Sequence, residues 1–378
     1  MEIRNPKKGE GVPRETVSNN CIGELTKALQ VAFSGIDEQK VMDSAISKGY
    51  FDAPMTKQLD ILADVVFDVL KKRSDRVIHA LIESSNEKVN AVAVSVISAL
   101  YKHDLDSALA WLKQTAALKG TWPREHSCVM LHDLFIREGV KNLLPKISDW
   151  LLDSDEGVRR VVTEGIRPRL MMVPHIEELK IDPSALKSVF EPLLDDPSEY
   201  VRKSVGNCMN DVSKDHPEIL LDWLESWSSK PLSYQRRRIF SRALRTLIEK
   251  GEIRAYQILD IPVHSSVELS IIQGFPSTIT LNQVIPLEIE LKNTGVEDSK
   301  IVVDLIMKAP GKRGVREYVY KLGVVDVPAY QIKRIKKTLH FVDKTTQTKE
   351  EGLYEVTYRK NSIAFQQESF LFARDKQV

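Results

Sequence analysis

A chain of 378 residues is long for a single domain and long enough to bury a sizeable core, and 42% hydrophobic with 28% charged residues is ordinary for a folded protein. No apolar run approaches the roughly 18 residues that a membrane span needs. The three scattered cysteines (Cys21, Cys128 and Cys208) argue against a disulfide framework or a cysteine-built metal site and suit a cytoplasmic protein. The net charge of +1 does not by itself announce a nucleic-acid binder.

Residues 1–20 are polar, carry no apolar segment to act as a secretory signal and read as a flexible lead-in. From residue 21 to about 258 the apolar period is helical. Leu59, Ile61, Leu62, Val65, Val66, Val69 and Leu70 form one wide apolar face. The stretch Val89 to Tyr101 is apolar on nearly every side, so a helix there must be buried between neighbours. Leu151-Leu152-Asp153 leads through an acidic turn to Val158-Arg159-Arg160-Val161-Val162. Leu193-Leu194-Asp195 leads the same way to Val201-Arg202-Lys203-Ser204-Val205, and Val158 and Val201 are 43 positions apart. A period near 40 with two helices per unit marks a HEAT-like α-helical solenoid, and the turn aspartates are placed to cap the following helix.

After a linker at 259–266 the period changes to two. Val267–Ile271, Leu287–Leu291, Ile301–Ile306, Glu317–Leu322, Ile332–Phe341, Leu353–Tyr358 and Ala364–Phe372 alternate and are rich in β-branched residues. Turns such as Asn293-Thr294-Gly295 and Ala309-Pro310-Gly311 separate them. Seven short strands over 267–373 predict an immunoglobulin-like β-sandwich.

Nucleophile elbows, phosphate loops and HExxH motifs are absent from the sequence. Lys312 after Gly311 lacks P-loop spacing and reads as a basic hairpin tip. Cys128 and His132 are four apart but have no further paired ligands, so they read as a core thiol and a surface imidazole.

The polar helix faces carry more. Setting Val158 and Val162 inward puts Arg160, Glu164 and Arg167 on another face, and setting Val201, Val205 and Met209 inward does the same for Lys203, Asn207 and Asp211. Glu125 stands at a helix start beside Trp122. Arg238, Arg242 and Arg245 share a face within the basic stretch Lys230, Arg236, Arg237, Arg238, Arg242, Arg245, Lys250 and Arg254. Stacked repeats would join these faces into a basic strip set with carboxylates, as a phosphate-binding surface requires. Periodicity equally allows solvated faces on which Glu164 pairs with Arg160 and Asp211 caps.

Three segments carry a resemblance to a known family. Trp-Pro-Arg-Glu-His (Trp122 to His126), Glu-Gly-Ile-Arg-Pro-Arg-Leu (Glu164 to Leu170) and the run Val201 to Pro217, above all Asn207 to Pro217, resemble the AlkC branch of the AlkC/AlkD DNA glycosylases. The resemblance covers about Cys21 to Ile258, and an immunoglobulin-like tail resembles part of the same branch. It implies a cofactor-free, metal-free, monofunctional and monomeric enzyme acting on alkylated double-stranded DNA. Its reaction would be hydrolysis of the N-glycosidic bond of 3-methyladenine or 3-methylcytosine without flipping the base into a deep pocket. By family position Glu125, Glu164 and Asp211 are the site carboxylates, and Arg160, Arg167 and Arg169 hold flanking phosphates. Arg238, Arg242, Arg245 and Trp122 are further expected DNA contacts. One departure is Met171-Met172, where the family pattern leads to an aromatic residue; Trp122 is a candidate to supply that ring. The rival class is a non-catalytic HEAT-repeat scaffold that binds DNA or a protein partner.

Overall fold

The computed structural model describes residues 14–70, 74–228, 231–312, 314–343 and 348–374. Residues 1–13, Lys230 and Arg313 lie outside the described residues. The chain divides into two compact units, Met1–Asp211 and Val212–Val378. The division falls inside a helix rather than at the expected linker 259–266, which lies within the second unit.

The first unit is helical: α1 (Arg14–Ala32), α2 (Glu38–Ser47), α3 (Met55–Leu70), α4 (Asp75–Ile82), α5 (Glu87–Leu100), α6 (Leu105–Ala117), α7 (Thr121–Glu138), α8 (Val140–Leu143), α9 (Glu156–Gly165), α10 (Glu177–Ile181) and α11 (Leu186–Phe190). Helix α12 (Glu199–Asp215) closes it. Residues 14–20, read from sequence as part of the lead-in, are helical. Alternate helices α3, α5, α7 and α9 pack side by side, with α4 and α6 against them, which is the repeat architecture that the 43-residue spacing implies. Helix α5 is buried almost all round, from Val89 to Val94 and at Val96 and Ile97, as its unbroken apolar composition demands.

The capping expectation is met at α9. Asp155 Oδ1 accepts from Gly157 N–H at 2.7 Å and Val158 N–H at 3.4 Å at the start of α9. In the second copy Asp196 Oδ1 accepts from Ser198 N–H at 2.8 Å, a turn bond ahead of α12 rather than a cap on one of its own N–H groups. A Cβ on Gly157 would lie 2.2 Å from the Ala116 carbonyl oxygen, so glycine here lets α9 approach the end of α6.

The second unit holds α13 (Pro217–Ser226), α14 (Tyr234–Ala243), α15 (Arg245–Lys250) and α16 (Ile253–Ile258), then the β-sandwich. Strands β1 (Val267–Gln273), β3 (Val284–Asn293) and β6 (Ile332–His340) form one sheet in the order β1-β3-β6. The other sheet runs β2 (Thr278–Thr280), β8 (Ile363–Ala373), β7 (Gly352–Lys360), β4 (Ser299–Ala309) and β5 (Arg316–Val327). Seven of these are the strands expected from alternation. The eighth, β2, is only three residues long and pairs in parallel with β8, too short to show a period. Between the sheets lie Leu287, Ile289 and Leu291 of β3, Val303 and Leu305 of β4, and Tyr354, Tyr358, Phe370 and Phe372. Strand β6 is an edge strand whose charges face both ways: Arg334 and Lys336 pair with Glu288 and Glu290 of β3, while Lys333 and Lys337 share the Ile335 side. Lysines on an edge strand discourage pairing with another chain.

Candidate active site

Helices α7, α9 and α12 carry the three sequence-predicted carboxylates, and the fold joins them through two arginines. Arg160 donates to Glu125 Oε1 at 2.7 Å and lies 3.9 Å from Glu164 Oε2. Arg167 donates through Nη1 to Glu164 Oε1 at 2.6 Å and through Nε to Asp211 Oδ2 at 2.7 Å. The result is one continuous chain, Glu125–Arg160–Glu164–Arg167–Asp211. Three carboxylates are thereby threaded on two guanidiniums.

The burial of this chain corrects the reading of exposed polar faces. Asp211 is 0% exposed, Glu164 6% and Arg160 8%. The Glu125 side chain, at 49%, is the carboxylate of the three that meets solvent. The reason lies at the end of α9. That helix stops at Gly165, ahead of Pro168, so Arg167 is not a third residue on the α9 face but part of the following segment, which folds over Asp211. Arg160 and Arg167, expected at phosphates, are thereby committed to carboxylates. Arg169 lies half-buried in the same segment.

A second tier of contacts fixes the geometry. Ser204 of α12 donates to Glu164 Oε2 at 2.7 Å and accepts from Thr163 Oγ1 at 2.8 Å. The Arg160 guanidinium stacks 4.2 Å above the Tyr200 ring, with a 3.4 Å contact to Cys128 Sγ. Burial opposes charge on Arg160, but the neighbouring acidic groups, Glu125 and Glu164 among them, outweigh it and hold its pKa above the ordinary value. Arg167 behaves alike: burial works against its charge, and Asp211 and Glu164 more than compensate. Burial pushes the Tyr200 hydroxyl up to about 12 and the Cys128 thiol higher still, so neither supplies a nucleophile near neutrality.

The start of α7 is held from outside. Gly120 offers no capping side chain, and Glu87 of α5 takes its place, accepting from Thr121 N–H at 2.8 Å and Trp122 N–H at 3.4 Å. Lys88 sits 5.2 Å over the half-buried Trp122 ring. His132, read from sequence as a surface imidazole, is buried. Its Nδ1 lies 2.8 Å from the Gly165 carbonyl and its Nε2 2.7 Å from the Pro174 carbonyl, so it binds the segment carrying Arg167 to α7. Neither Glu87, His132 nor Ser204 was singled out for the site, because each acts across a distance of 30 to 40 residues that no local pattern reveals.

The basic stretch expected at the solenoid's end is only partly a surface. Arg254 is taken up by Glu218, Asp222 and Glu225 of α13, Arg236 donates to the Trp227 carbonyl, and Arg237 to the Leu259 carbonyl and Asp260. Arg238 and Arg245 are exposed and Arg242 half-buried, but they do not share one helix: α14 ends at Ala243 and Arg245 opens α15.

Among the described residues no helix is long and apolar enough to cross a membrane. Comparison with known proteins agrees with the architecture. Residues 268–374 match the family model for the C-terminal Ig-like domain of the uncharacterised protein YhaZ. The uncharacterized protein YhaZ of Bacillus subtilis (strain 168) is 29% identical over 233 residues, which is 60% of this chain and 64% of that protein's length. The structure of the Pseudomonas fluorescens alkylpurine DNA glycosylase AlkC bound to DNA containing an abasic site analog superposes with a TM-score of 0.82. It covers 95% of this chain and 99% of that one at 22% identity, a likeness of fold. Residues 54–245, half of the chain and all of the ion-pair network, match the model for the DNA alkylation repair enzymes, and the chain belongs to that family.

Proposed function

We propose that the chain is a DNA glycosylase that hydrolyses the N-glycosidic bond of cationic alkylated bases, 3-methyladenine and 3-methylcytosine, in duplex DNA. The observation that carries this reading is the Glu125–Arg160–Glu164–Arg167–Asp211 chain, which fixes three carboxylates from three successive helices in one place. Alkylation at N3 leaves the base positively charged, so when the bond from the sugar C1′ breaks the base departs neutral with the bonding pair and needs no general acid. Charge then develops on the sugar, and a pre-organised negative site lowers that barrier without reorganising. Water bonds to C1′ and releases a proton, which Glu125, the carboxylate in contact with solvent, is placed to accept.

Arg160 and Arg167 act in this scheme by holding Glu164 and Asp211 in place, rather than as surface phosphate clamps. Phosphate contacts fall to Arg238, Arg242 and Arg245, with Arg169 and Trp122 beside the site. A purely architectural reading draws on the complete burial of Asp211. Release of free base from methylated duplex DNA by the purified protein, measured by chromatography, tests the proposal. Failure to release either methylated base under conditions where the protein binds the duplex would refute it.

A further inference from the structure

Helix α12 opens with Glu199 and Tyr200, and its start is bound firmly to α9. Asp196, in the turn ahead of it, takes Arg159 through Nε at 2.7 Å and Nη2 at 3.0 Å. Ser198 donates to Glu156 at the start of α9, and Glu156 accepts from Arg124 of α7 at 3.4 Å. On this base the half-buried Tyr200 ring stands against two guanidiniums, Arg160 at 4.2 Å and Arg124 at 5.4 Å from its centre. Each of these arginines has its own acidic partner, Glu125 for Arg160 and Glu156 for Arg124. The ring therefore does not neutralise them; it covers them.

A guanidinium carries all five N–H donors in one plane, while its faces are weakly hydrated and stack on aromatic rings. Arg160 uses both properties. It is almost wholly buried, its in-plane donors reach Glu125 at 2.7 Å and Cys128 Sγ at 3.4 Å, and Tyr200 closes its face. The two carboxylates beside it are not equally secured. Glu164 is also bound by Arg167 and Ser204, whereas among the described residues Arg160 is what holds the half-exposed Glu125. A phosphate offers a guanidinium the same forked geometry as a carboxylate. An Arg160 free to turn would thus be drawn from Glu125 to the backbone of a bound duplex.

We infer that Tyr200 is a positioning residue for the proposed reaction, its ring keeping Arg160 on Glu125 and off phosphate. The inference rests on the proposed action on DNA, and it assigns the work to the ring and none to the hydroxyl.

The test uses the full-length protein and Tyr200→Leu, which keeps an apolar side chain but removes the aromatic face. Single-turnover release of 3-methyladenine falls by about tenfold or more. Log K for undamaged duplex becomes steeper in log salt by about 0.9, the signature of one added phosphate contact. Phenylglyoxal, an arginine reagent, modifies Arg160 in this variant and spares it in the wild type, as mapped by mass spectrometry. Tyr200→Phe restores all three readouts. In an Arg160→Met background Tyr200→Leu costs less than about twofold in rate, because the ring acts through that arginine. Should Tyr200→Leu fail to fold, Arg160→Lys reads the same contact from the other side: charge is kept, the planar face is lost, and the rate falls about tenfold. A Tyr200→Leu variant with wild-type rate and salt slope, a Tyr200→Phe variant as slow as Tyr200→Leu, or an Arg160→Lys variant within twofold of wild type would each overturn the inference. A wild type that releases no methylated base would sink the proposed reaction, and the phenylglyoxal and salt readouts would still decide whether Tyr200 holds Arg160.

Discussion

Asp211→Asn separates chemistry from architecture because Asp211 is fully buried and directly paired. Its Oδ2 accepts from Arg167 Nε at 2.7 Å. Removing one partner of a buried ion pair costs roughly 3–5 kcal/mol when the other charge is stranded. Arg167 is not stranded here, since Glu164 still accepts from its Nη1 at 2.6 Å and the new amide oxygen can face Nε. The expected loss of stability is therefore smaller, about 1–2 kcal/mol, yet larger than the few tenths typical of a surface site. The effect on rate follows from charge. With Asp211 neutral, the chain keeps both guanidiniums but only two of its three carboxylates, so its net charge rises by one. Losing one pre-organised charge opposite a cationic transition state costs about 10²-fold, or ~2.7 kcal/mol. Pairing Asp211→Asn with Arg167→Met removes one positive charge along with the negative one and returns the chain to its wild-type net charge, so the double variant should recover about tenfold of the lost rate. Single-turnover release of 3-methyladenine, with melting curves and duplex affinity taken on the same preparations, reads all three quantities. A rate within threefold of wild type for both Asp211→Asn and Glu164→Gln would refute the electrostatic reasoning. A double variant no faster than Asp211→Asn would refute the dependence of rate on net charge.

Alanine at Arg238, Arg242 and Arg245 together should flatten the dependence of log K on log salt by up to about 2.7 units, read by anisotropy titrations; an unchanged slope would remove them from the DNA contact. Truncation after His264 deletes Arg359 and Asn361, which donate to the carbonyls of Glu249 and Pro262, so α15 and α16 should become sensitive to limited proteolysis; an unaltered digestion pattern would contradict this. Asp304 is buried, and that burial pushes its carboxyl from 3.8 up to about 6 although Arg359 pulls the other way. The folded state thus favours the protonated form. Its contribution is full below about pH 4 and is lost as pH rises through 6, by roughly 3 kcal/mol. Denaturant unfolding of wild type and Asp304→Asn should diverge over that window, and parallel pH curves would refute the assignment. Gly157→Ala should destabilise the first unit by about 3 kcal/mol, since the added carbon meets the Ala116 carbonyl; a melting temperature equal to wild type would show that α9 can retreat.

The fold was legible in the chain because its two halves differ in period, and periodicity is a property of a segment by itself. The cap at Asp155, the turn at Asp196, the burial of α5 and seven of the eight described strands follow from local chemistry that operates within a dozen residues. The same locality explains what stayed hidden. A helical wheel says which residues of α12 leave the core of their own repeat, and Asp211 does leave it. It cannot say that Arg167, 44 positions earlier, returns over that face and buries it. Likewise Arg254 looks like part of a basic surface until α13 brings Glu218, Asp222 and Glu225 against it. Charge and identity are written in the residue, whereas exposure and partnership belong to whatever packs beside it. Which carboxylates meet solvent, and which arginines hold them rather than DNA, was therefore decided only when the repeats stacked.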